Sequence, residues 1–585
     1  MKFSELAKYI EKIDATNSRL TITELLGEIF SKLSDKEIDK TVYLLMGKIG
    51  PLYESTDFGM AEKMVVKSIV KALNLEKKLF ENKYKEIGDL GKAAEYFKKL
   101  IKSFEEKDLE IIEVFNDLSR LATSSGEGSQ ETKINILALL IRQLDSLSSR
   151  YLVRIPLGIM RLGFSDMTVL DALSWMLAKN KTLRPRIEKA YHVRPDLGFI
   201  AAVIKKEGIE GLSLIKPKLF TPIIMMRAER LSSGQEIIEK IGRCAIEPKY
   251  DGFRIQVHYK KKNNQIKLYS RNLDNVSFMY PDIIDGVKNE ITAEEVIFEG
   301  EAIGFKPQTG TFLPFQETVQ RKRKYGITEK AKEIPLKLFV FDILYFNDKN
   351  LLTTPYIERR KNLEKIIKLT GDLSKDTIML ARENIVDAPP KIELLFEEAL
   401  TENLEGIIAK KLDGIYQPGA RGWNWIKFKR SYSAKIEDTI DCLVMGYDLG
   451  KGKRTSFGIG AFLVGIYDKN KDKFKTMAKI GTGLTDEEWK EIKKRADRFK
   501  SEKKPALYEV NKMMEVDVWL KPEIVVEIKA DEITKSPVHT AGLALRFPRL
   551  EKFRDDKRPE EVTTLFEVEK FFKNQGNQKT SREKK

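Results

Sequence analysis

Hydrophobic residues recur with a helical period through the first third of the chain. In the segment 133–144 the apolar side chains follow an i, i+3, i+7, i+10 spacing, which places them on one face of a helix: Ile134, Leu137, Ile141 and Leu144. The segments 22–33 and 166–177 carry similar stripes, and short glycine- and serine-rich breaks lie between them. The pattern predicts an all-helical domain over residues 1–215.

The hydrophobic period changes to two from about residue 245. In the segment 253–259 every second residue is apolar, as is typical of a β-strand. An Asn263–Asn264 turn follows and the chain returns through 266–271, so we predict a β-hairpin. Strand and helix patterns then mix to about residue 430, which predicts an α/β domain with a mixed antiparallel sheet over residues 216–432.

Short strand patterns and frequent glycines dominate the chain beyond residue 435. The glycines are Gly446, Gly450, Gly452, Gly458, Gly460 and Gly465. This pattern predicts a small β-barrel over residues 433–565. The segment 573–585 contains five basic residues and one acidic residue, and we predict a basic, flexible tail over residues 566–585.

The composition points to a nucleic-acid partner and excludes several kinds of site. With 104 Lys+Arg against 88 Asp+Glu in 585 residues, the formal net charge is 104 − 88 = +16. Such a surplus suits a polyanion such as nucleic acid, although lysine-rich surfaces also keep proteins soluble. Two cysteines and three histidines supply neither a disulfide framework nor a tetrathiolate zinc site. No uncharged apolar run approaches the ~20 residues that span a bilayer, so we expect a cytoplasmic protein without membrane contact.

The segment Glu247–Arg254, EPKYDGFR, carries the densest chemical pattern in the chain. It predicts that Lys249 lies in a loop just before a strand, with Gly252 allowing a backbone position that larger side chains resist. An amine is a good nucleophile only when neutral, and neighbouring cations such as Arg254 favour that form. A single lysine in a loop is usually a solvated charge. Because Lys-x-Asp-Gly-x-Arg fixes four positions at once, we predict instead that Lys249 is a nucleophile.

Five further short clusters follow Lys249 along the chain. They are Ser270–Asn272 (SRN), Phe298–Glu301 (FEGE), Phe341–Leu344 (FDIL), Glu405–Lys410 (EGIIAK) and Trp425–Lys429 (WIKFK). Lys427 and Lys429 alternate on a predicted strand and so point the same way, which suits two cations on phosphates but also a solvated strand face. Glu301 and Glu405 have apolar neighbours, so their carboxylates require a cation such as Mg²⁺, hydrogen-bond donors or a structural ion pair.

In this order the clusters resemble the motifs of ATP-dependent DNA ligases of the archaeal and eukaryotic replicative type, within the covalent nucleotidyltransferase superfamily. EPKYDGFR is similar to the nucleophile motif of that family, and the five clusters are similar to the motifs that follow it. The segments 546–549 (RFPR) and 555–557 (DDK) resemble the family's C-terminal barrel motif. Gly126–Ser129 and Arg161–Gly163 resemble its helical DNA-binding domain. One departure is Pro248, where relatives usually have a residue with a backbone N–H.

The resemblance covers nearly the whole chain and implies both its domains and its chemistry. A helical DNA-binding domain, an adenylation domain and an OB-fold barrel would occupy the three regions predicted above. The implied enzyme is a monomeric DNA ligase that uses ATP and Mg²⁺ and acts in DNA replication, repair and recombination. Lys249 would attack the α-phosphorus of ATP and pass AMP to the 5′-phosphate of a nick in duplex DNA, where the 3′-hydroxyl displaces it.

The resemblance also implies roles for individual side chains. Nucleotide contacts would come from Glu247, Arg254, Arg271, Glu301, Phe341, Arg421 and Lys427. The implied Mg²⁺ ligands are Glu301 and Glu405, and further cations at the nucleotide are Lys429, Arg546 and Lys557. Ser129 and Arg161 would bind DNA. From the residues alone, Phe341 also fits a plain core position and Ser129 a simple helix start.

Alternative functions stay open on the sequence alone. An RNA ligase or a capping-type nucleotidyltransferase would use the same lysine, although the long helical N-terminal domain argues against both. A non-catalytic DNA-binding scaffold conflicts with the intact set of Lys249, Glu301, Glu405 and Lys427. NAD⁺-using ligases resemble a different layout, with a four-cysteine zinc module that two cysteines cannot supply. A sliding-clamp peptide without its usual leading glutamine is suggested by Leu565, Val568, Phe571 and Phe572.

Overall fold

The protein divides into two compact units, Met1–Lys429 and Arg430–Lys585. A computed structural model describes residues 1–54, 56–101, 105–306, 311–313, 315–323, 325–372, 375–402, 404–429, 439–450, 457–481, 484–536 and 538–577. Within these ranges no helix is both long enough and apolar enough to cross a membrane.

The first part of the larger unit is helical, as the hydrophobic period predicts. Its helices are α1 (Phe3–Asp14), α2 (Arg19–Lys32), α3 (Ile38–Leu45), α4 (Glu62–Leu73), α5 (Lys77–Ile87), α6 (Leu90–Leu100), α7 (Ile111–Thr123), α8 (Ser129–Gln143), α9 (Ser146–Arg154), α10 (Asp166–Ala178), α11 (Arg184–Val193) and α12 (Leu197–Glu207). They share one hydrophobic core, which includes the stripe predicted in the segment 133–144. The helical stripes therefore face a common interior.

Side-chain caps and a close helix contact fix the local geometry of α6. The Asp89 carboxylate accepts a hydrogen bond from the backbone N–H of Lys92, which caps the N-terminus of the helix. Gly91 lets α6 approach α9 closely, because a Cβ at this position would lie 2.3 Å from the carbonyl oxygen of Arg150. Gly91 thus serves helix packing.

The second part of the larger unit contains two β-sheets and the helices that cover them. Its strands are β1 (Arg227–Arg230), β2 (Cys244–Lys249), β3 (Phe253–Lys260), β4 (Gln265–Ser270), β5 (Glu295–Lys306), β6 (Thr311–Phe312), β7 (Leu336–Phe346), β8 (Lys349–Asn350), β9 (Ile378–Leu380), β10 (Asn384–Val386), β11 (Gly406–Lys411) and β12 (Arg421–Lys429). Its helices are α13 (Gly234–Ile241), α14 (Pro281–Glu290), α15 (Phe315–Thr318), α16 (Ile327–Glu333), α17 (Tyr356–Ile366) and α18 (Pro389–Thr401).

The two sheets turn one surface towards their helices and the other towards each other. The larger sheet has the strand order β4-β3-β5-β7-β8, and the smaller one has the order β1-β12-β11-β2-β10. Helices α14 and α17 pack on the larger sheet, and α13 and α18 pack on the smaller one. The inner surfaces meet where the rings of Phe341 and Trp425 lie 5.9 Å apart. Charged residues of the sequence motifs lie on these inner surfaces.

The predicted hairpin is confirmed as β3 and β4. Ile255 pairs with Ser270 and Lys260 with Gln265 in an antiparallel ladder. The alternation does not mark a solvent-facing side, however, because the polar residues Gln256 and His258 are fully buried. The Gln256 side-chain carbonyl accepts a hydrogen bond from the backbone N–H of Ile223 at 2.7 Å, so the polar face is covered by the segment that leads into this domain.

The smaller unit is a sheet domain with two helices in its described residues. Its strands are β13 (Ile440–Asp448), β14 (Ala461–Asp468), β15 (Lys473–Ile480), β16 (Lys500–Ser501), β17 (Tyr508–Glu509), β18 (Val518–Leu520), β19 (Val525–Lys529), β20 (Glu532–Lys535), β21 (Leu543–Arg546) and β22 (Arg549–Phe553), and its helices are α19 (Asp486–Arg498) and α20 (Leu565–Asn577). Strand β13 is central, because it pairs with β14 along one edge and with β18 and β19 along the other. The expected C-terminal β-domain is therefore present.

The end of the chain differs from the flexible tail predicted there. Residues 566–577 belong to α20, and residues 578–585 lie outside the described residues. Val568 is fully buried, and Leu565, Phe571 and Phe572 pack half-buried against the same core. Their spacing places all four on one helical face, which outweighs the polar composition of the segment. These side chains pack against the core of their own domain, and their suggested role in a sliding-clamp peptide stays a prediction.

Candidate functional site

Lys249 is the last residue of β2, on the inner surface of the smaller sheet. The sequence pattern placed it in a loop, and this detail is wrong. The ladder with β11 continues through the pairs Pro248–Ile407 and Lys249–Gly406. The loop begins only at Tyr250. The backbone of Lys249 is consequently fixed by a sheet, which suits a residue that must present its amine in one direction.

A carboxylate lies directly against the amine of Lys249. Its Nζ is 2.5 Å from Oε2 of Glu405, and the Nζ of Lys429 is 3.8 Å from the same oxygen. Lys249, Gly406 and Lys429 are register partners on three adjacent strands, so the two lysines flank the start of β11. Lys249 is 24% exposed and Glu405 is 18% exposed. The pair is therefore partly open to solvent and to a ligand.

Two glycines permit the close backbone contacts that shape this cluster. A Cβ on Gly252 would lie 2.2 Å from the carbonyl oxygen of Ala302 on β5. Gly252 is thus required by a close approach that brings the loop after Lys249 against the strand carrying Glu301. Gly406 has a φ of +142°, and a Cβ there would lie 2.3 Å from the carbonyl oxygen of Phe428.

The carboxyl pKa of Glu301 is raised above its ordinary value, and that of Glu405 is lowered below it. Burial raises the pKa of Glu301 to about 7, although the charges of Lys249 and Arg254 oppose the shift. Burial also raises the pKa of Glu405, but the charge and hydrogen bond of Lys249 outweigh burial and hold it at about 2. At neutral pH, Glu405 is therefore ionised while Glu301 readily exchanges a proton.

Lys427 lies in a cluster of positive charges. Burial, together with the charges of neighbouring cations, lowers the pKa of its ammonium group to about 8. Those cations are Arg230, Lys429, Lys249 and Arg421. The ammonium group of Lys427 makes no hydrogen bond or ion pair with any residue that the structure describes. An anion would relieve this repulsion, so the cluster is suited to bind phosphate groups.

Arg254 is held by protein groups on the inner surface of the larger sheet. Its guanidinium donates to Glu299 at 2.6 Å and to the carbonyl oxygen of Met226 at 2.8 Å. Tyr416 donates to the same Glu299 carboxylate at 2.8 Å. We predicted Arg254 as a cation that acts on Lys249. The structure instead engages it with Glu299, and its charge also acts on Glu301.

Glu247 lies in a buried network on the inner surface of the smaller sheet. Its carboxylate is 2.8 Å from the ammonium group of Lys410 and accepts a hydrogen bond from the Tyr356 hydroxyl at 2.6 Å. The same hydroxyl contacts Glu383. Burial raises the pKa of Glu247 and lowers that of Lys410, and their mutual attraction opposes both shifts. Each oxygen of Glu247 already has a protein donor.

The aromatic and arginine residues predicted at the nucleotide lie in different environments. Phe341 is half-buried beside Trp425, and its carbonyl oxygen accepts a hydrogen bond from Lys410 at 2.7 Å. The sequence left open whether Phe341 stacks on a base or belongs to the core. Its ring lies partly in the core and is partly accessible. Arg271 follows β4 and Arg421 begins β12, and both are exposed. Arg421 belongs to the cation cluster around Lys427.

The residues predicted to bind DNA lie at the surface of the helical part. Ser129 is the first residue of α8 and follows Gly128, which has a left-handed backbone with φ +75°. The predicted helix start is therefore confirmed. Arg161 is exposed, and its guanidinium is 3.0 Å from the Asp89 carboxylate that caps α6. Asp89 also pairs with Arg154, so one buried carboxylate orients both arginines.

Arg546 and Lys557 lie within the smaller unit. Arg546 ends β21, and its guanidinium is 5.3 Å from the ring of Phe547. The Nζ of Lys557 is 2.6 Å from Asp441 on β13. Arg554 pairs with the same aspartate at 3.0 Å. Lys557 is thus held by a carboxylate of its own domain.

The sequence does not predict Lys410, Tyr356 or Arg230 as residues of the site. Lys410 closes the EGIIAK cluster, so its motif position could have identified it. Tyr356 and Arg230 belong to no motif, because they reach the site through folding of distant segments. Their contribution becomes visible only from the strand register and the buried hydrogen bonds.

The pair of Glu301 and Glu405 fits Mg²⁺ on chemical grounds. The two carboxylates repel each other, since the charge of Glu405 contributes to the raised pKa of Glu301. A divalent cation would favour the ionised form of both, and Mg²⁺ is commonly bound by one or two carboxylates together with substrate phosphates. Among the described residues no group of three or more His, Cys, Asp or Glu side chains could hold a metal ion. Phosphate or water oxygens would have to complete its coordination.

Protein-family models match most of the chain. The model described as DNA ligase N terminus matches residues 2–174, and the ATP dependent DNA ligase domain matches residues 225–429. The ATP dependent DNA ligase C terminal region matches residues 455–557. The three models follow the order that the motifs predict, so the resemblance seen in the sequence is confirmed.

Individual proteins show the same similarity. A protein of Dictyoglomus thermophilum described as a probable DNA ligase is 46% identical over 587 residues, which cover 99% of each chain. A DNA ligase of Saccharolobus solfataricus is 39% identical over 99% of this chain and 98% of its own. A solved structure described as Pmar-Lig_PreS3 aligns with a TM-score of 0.52 at 18% identity, over 94% of this chain and 99% of that one. The last match concerns the fold alone.

Proposed function

The chain belongs to the family of ATP-dependent DNA ligases, and from this premise we propose that Lys249 is the nucleophile that carries AMP. The activity is the sealing of nicks in duplex DNA with ATP. One observation supports the choice of lysine. Lys249 lies where the inner surfaces of two sheets bring together a carboxylate pair, Glu301 and Glu405, and the cation Lys427. These are the groups that displacement at phosphorus requires.

The first step transfers AMP to Lys249. The amine loses a proton to solvent, and a bond forms from Nζ to the α-phosphorus of ATP. The bond from that phosphorus to the oxygen of the β-phosphate breaks, and pyrophosphate leaves with the electron pair. An oxygen of the 5′-phosphate at the nick then attacks the phosphorus of AMP, the bond from Nζ to that phosphorus breaks, and the lysine leaves as an amine that takes a proton from solvent. Finally the 3′-hydroxyl gives its proton to solvent and attacks the phosphorus of the 5′-phosphate, so a phosphodiester forms and AMP leaves with the electron pair.

The surrounding residues bind and orient the nucleotide in this proposal. Lys427, Lys429 and Arg421 bind its phosphates, and Phe341 stacks on the base. Glu247, held in its network with Lys410, positions the base of the nucleotide. Arg254 and Arg271 lie beside its ribose and phosphate. Glu301 and Glu405 would hold Mg²⁺, which supplies charge neutralisation at the phosphates when bound.

The other domains act on the DNA and on the leaving group. Ser129 and Arg161 bind phosphates of the DNA backbone, through helix N–H groups and a guanidinium. Arg546 and Lys557 assist the first step at the phosphates of ATP. The cellular roles that follow from nick sealing are DNA replication, repair and recombination, and a cytoplasmic monomer would suffice for them.

Incubation with Mg²⁺ and ATP labelled at the α-phosphate tests the nucleophile. The full-length protein should acquire one covalent label that is lost in acid, as a P–N bond requires. Lys249→Ala should acquire none. Lys411→Ala is the matched control, because Lys411 lies on the adjacent strand β11 and pairs with Asp413; it should label normally. Persistent labelling of Lys249→Ala would place the nucleophile elsewhere.

A comparison of two substrates tests whether the enzyme acts on DNA or on RNA. Nicked duplex DNA and nicked duplex RNA should be offered under the same conditions, with sealing measured as the length of the labelled strand. We expect sealing of DNA and little sealing of RNA. Sealing of RNA alone would favour the RNA ligase alternative, and AMP transfer to the protein without sealing of either would favour a different acceptor.

A further inference from the structure

Arg230 lies beside Lys427 because of an irregularity between β1 and β12. The two strands are parallel and begin with the pairs Arg227–Arg421 and Ala228–Gly422. The register then shifts, and the next pairs are Glu229–Ile426 and Arg230–Lys427. Strand β12 therefore has three extra residues, 423–425, at this point. Without this bulge, continuous pairing would place Arg230 opposite Asn424. The bulge therefore places Arg230 opposite Lys427.

The environment of β1 places the Arg230 side chain on the inner surface. Ala228 packs in the apolar cluster of the inner surface that contains Trp425. Leu231 packs instead in the cluster beneath α13 and α18. Side chains alternate along a strand, so Arg230 lies on the same surface as Ala228. Its charge is also the largest neighbouring contribution to the lowered pKa of Lys427.

We propose that Arg230 binds the β- and γ-phosphates of ATP, and the departing pyrophosphate, together with Lys427. This inference rests on the proposed role of Lys249. Strands β2, β11, β12 and β1 are neighbours in that order, so the backbone of Arg230 lies three strand spacings, or about 14 Å, from that of β2. The leaving group in an in-line displacement departs on the side opposite the nucleophile. A planar guanidinium on that side can bind two phosphate oxygens at once.

The role of Arg230 in binding pyrophosphate can be tested by running the first step in reverse. The full-length protein is first converted to its lysyl-AMP form, and inorganic pyrophosphate is then added while the release of ATP is measured. Arg230→Ala should raise the KM for pyrophosphate by about tenfold or more, as expected for a lost charge-assisted contact. The KM for ATP in the forward step should rise in parallel. Arg230→Lys should recover part of the loss, because it keeps the charge and loses the bidentate geometry.

A matched control and a later step make the result specific. Arg243→Ala removes an equal charge from an exposed position before β2, at the opposite end of the strand from Lys249, and should change neither KM. Sealing of a nick that already carries 5′-AMP bypasses pyrophosphate, so Arg230→Ala should seal it at the normal rate. That result also shows that the variant is folded.

The possible outcomes separate the two proposals. An unchanged KM for pyrophosphate in Arg230→Ala would overturn the role of Arg230 while leaving Lys249 as the nucleophile. An equal loss in the sealing of the adenylated nick would also overturn it, because Arg230 would then act on structure or on DNA. Failure of the unmodified protein to form any lysyl adduct would instead overturn the proposal for Lys249.

Discussion

The ammonium group of Lys249 and the carboxylate of Glu405 form an ion pair of 2.5 Å at the centre of the inner surface. The same carboxylate oxygen lies 3.8 Å from Lys429, so two lysines share one acid. An amine that is held as an ammonium ion does not attack phosphorus. Separation of Glu405 from Lys249 must therefore precede transfer of AMP, and a divalent cation would offer that carboxylate another partner.

Replacement of Glu405 by Gln should raise the concentration of Mg²⁺ that adduct formation requires. We expect the apparent affinity for Mg²⁺ to fall between about 10- and 100-fold, the range typical of lost metal-site interactions. The measurement is the rate of lysyl-AMP formation as a function of Mg²⁺ concentration. Glu402→Gln is the control, because Glu402 is exposed and pairs with Arg382. An unchanged Mg²⁺ dependence would show that Glu405 serves only as an ion-pair partner of Lys249.

The binding of ATP should weaken as the pH rises through about 8. A lysine whose pKa is lowered to about 8 loses its charge above that pH, and Lys427 then no longer attracts phosphate. The groups that act on it are Arg230, Lys429, Lys249 and Arg421. Calorimetric titration of Lys249→Arg with ATP avoids the chemical step and keeps the positive charge that acts on Lys427. Introducing Lys427→Arg in that background should remove the decline near pH 8, and a constant affinity between pH 7 and 9 in Lys249→Arg would contradict the assignment.

The affinity for Mg²⁺ should increase as the pH rises through 7, because Glu301 binds a cation only when ionised. With a pKa of about 7, we expect apparent Mg²⁺ affinity to be about tenfold weaker at pH 6 than at pH 8. Glu301→Gln should bind more weakly at both pH values and lose this dependence. If the unmodified protein binds equally at both, Glu301 is not a ligand.

The same pKa predicts the sign of an effect on stability. A carboxyl whose pKa is raised on folding contributes its full stabilisation below its ordinary pKa of 4.5, and this contribution is lost as the pH rises through 7. The free energy of unfolding of Glu301→Gln should accordingly fall less over that interval than that of the unmodified protein. Urea unfolding at pH 4.5, 6 and 8 provides the comparison.

The sequence predicts those features that depend on neighbours along the chain. Motif order is sufficient to select Lys249, Glu301, Glu405 and Lys427, and the structure brings their segments together. Period-two alternation predicts the β3–β4 hairpin for the same local reason. The strand position of Lys249 is missed because it depends on pairing with β11, a segment distant in the sequence, which extends the strand. The helix at 565–577 is missed because its apolar residues are few, although a neighbouring core buries them.

Features that depend on contacts between distant segments could not be predicted. Arg230 reaches Lys427 only because β12 has a three-residue bulge opposite β1. Tyr356 lies in α17, and its hydroxyl reaches Glu247 only in the folded domain. Neither segment carries a motif of its own. Strand register and helix packing, rather than local pattern, therefore determine this part of the site.

Removal of Arg161 should weaken binding to nicked DNA without affecting transfer of AMP to the protein. Arg161 is exposed and is oriented by Asp89, so its loss removes about one phosphate contact. We expect Arg161→Ala to lower the slope of log affinity against log salt by about 1. Arg186→Ala is the control, since Glu210 already pairs with that guanidinium. The measurement is fluorescence anisotropy over a salt series, and an unchanged slope would exclude Arg161 from the DNA contact.

Replacement of Lys410 by Met should destabilise the larger unit strongly. Lys410 is 1% exposed and lies 2.8 Å from Glu247. Its loss leaves the buried carboxylate with the more distant guanidinium of Arg360, at 4.0 Å, at a cost of about 3–5 kcal/mol. Adding Glu247→Gln removes that charge, while the amide oxygen can still accept the hydrogen bond of Tyr356; the double variant should recover most of the loss. Lys411→Ala, on the same strand, should cost no more than about 0.5 kcal/mol. Urea unfolding followed by circular dichroism measures all three. If the double variant is as unstable as Lys410→Met, the charge left on Glu247 is not the cause, and the loss of packing against Phe341 and Trp425 would have to account for it.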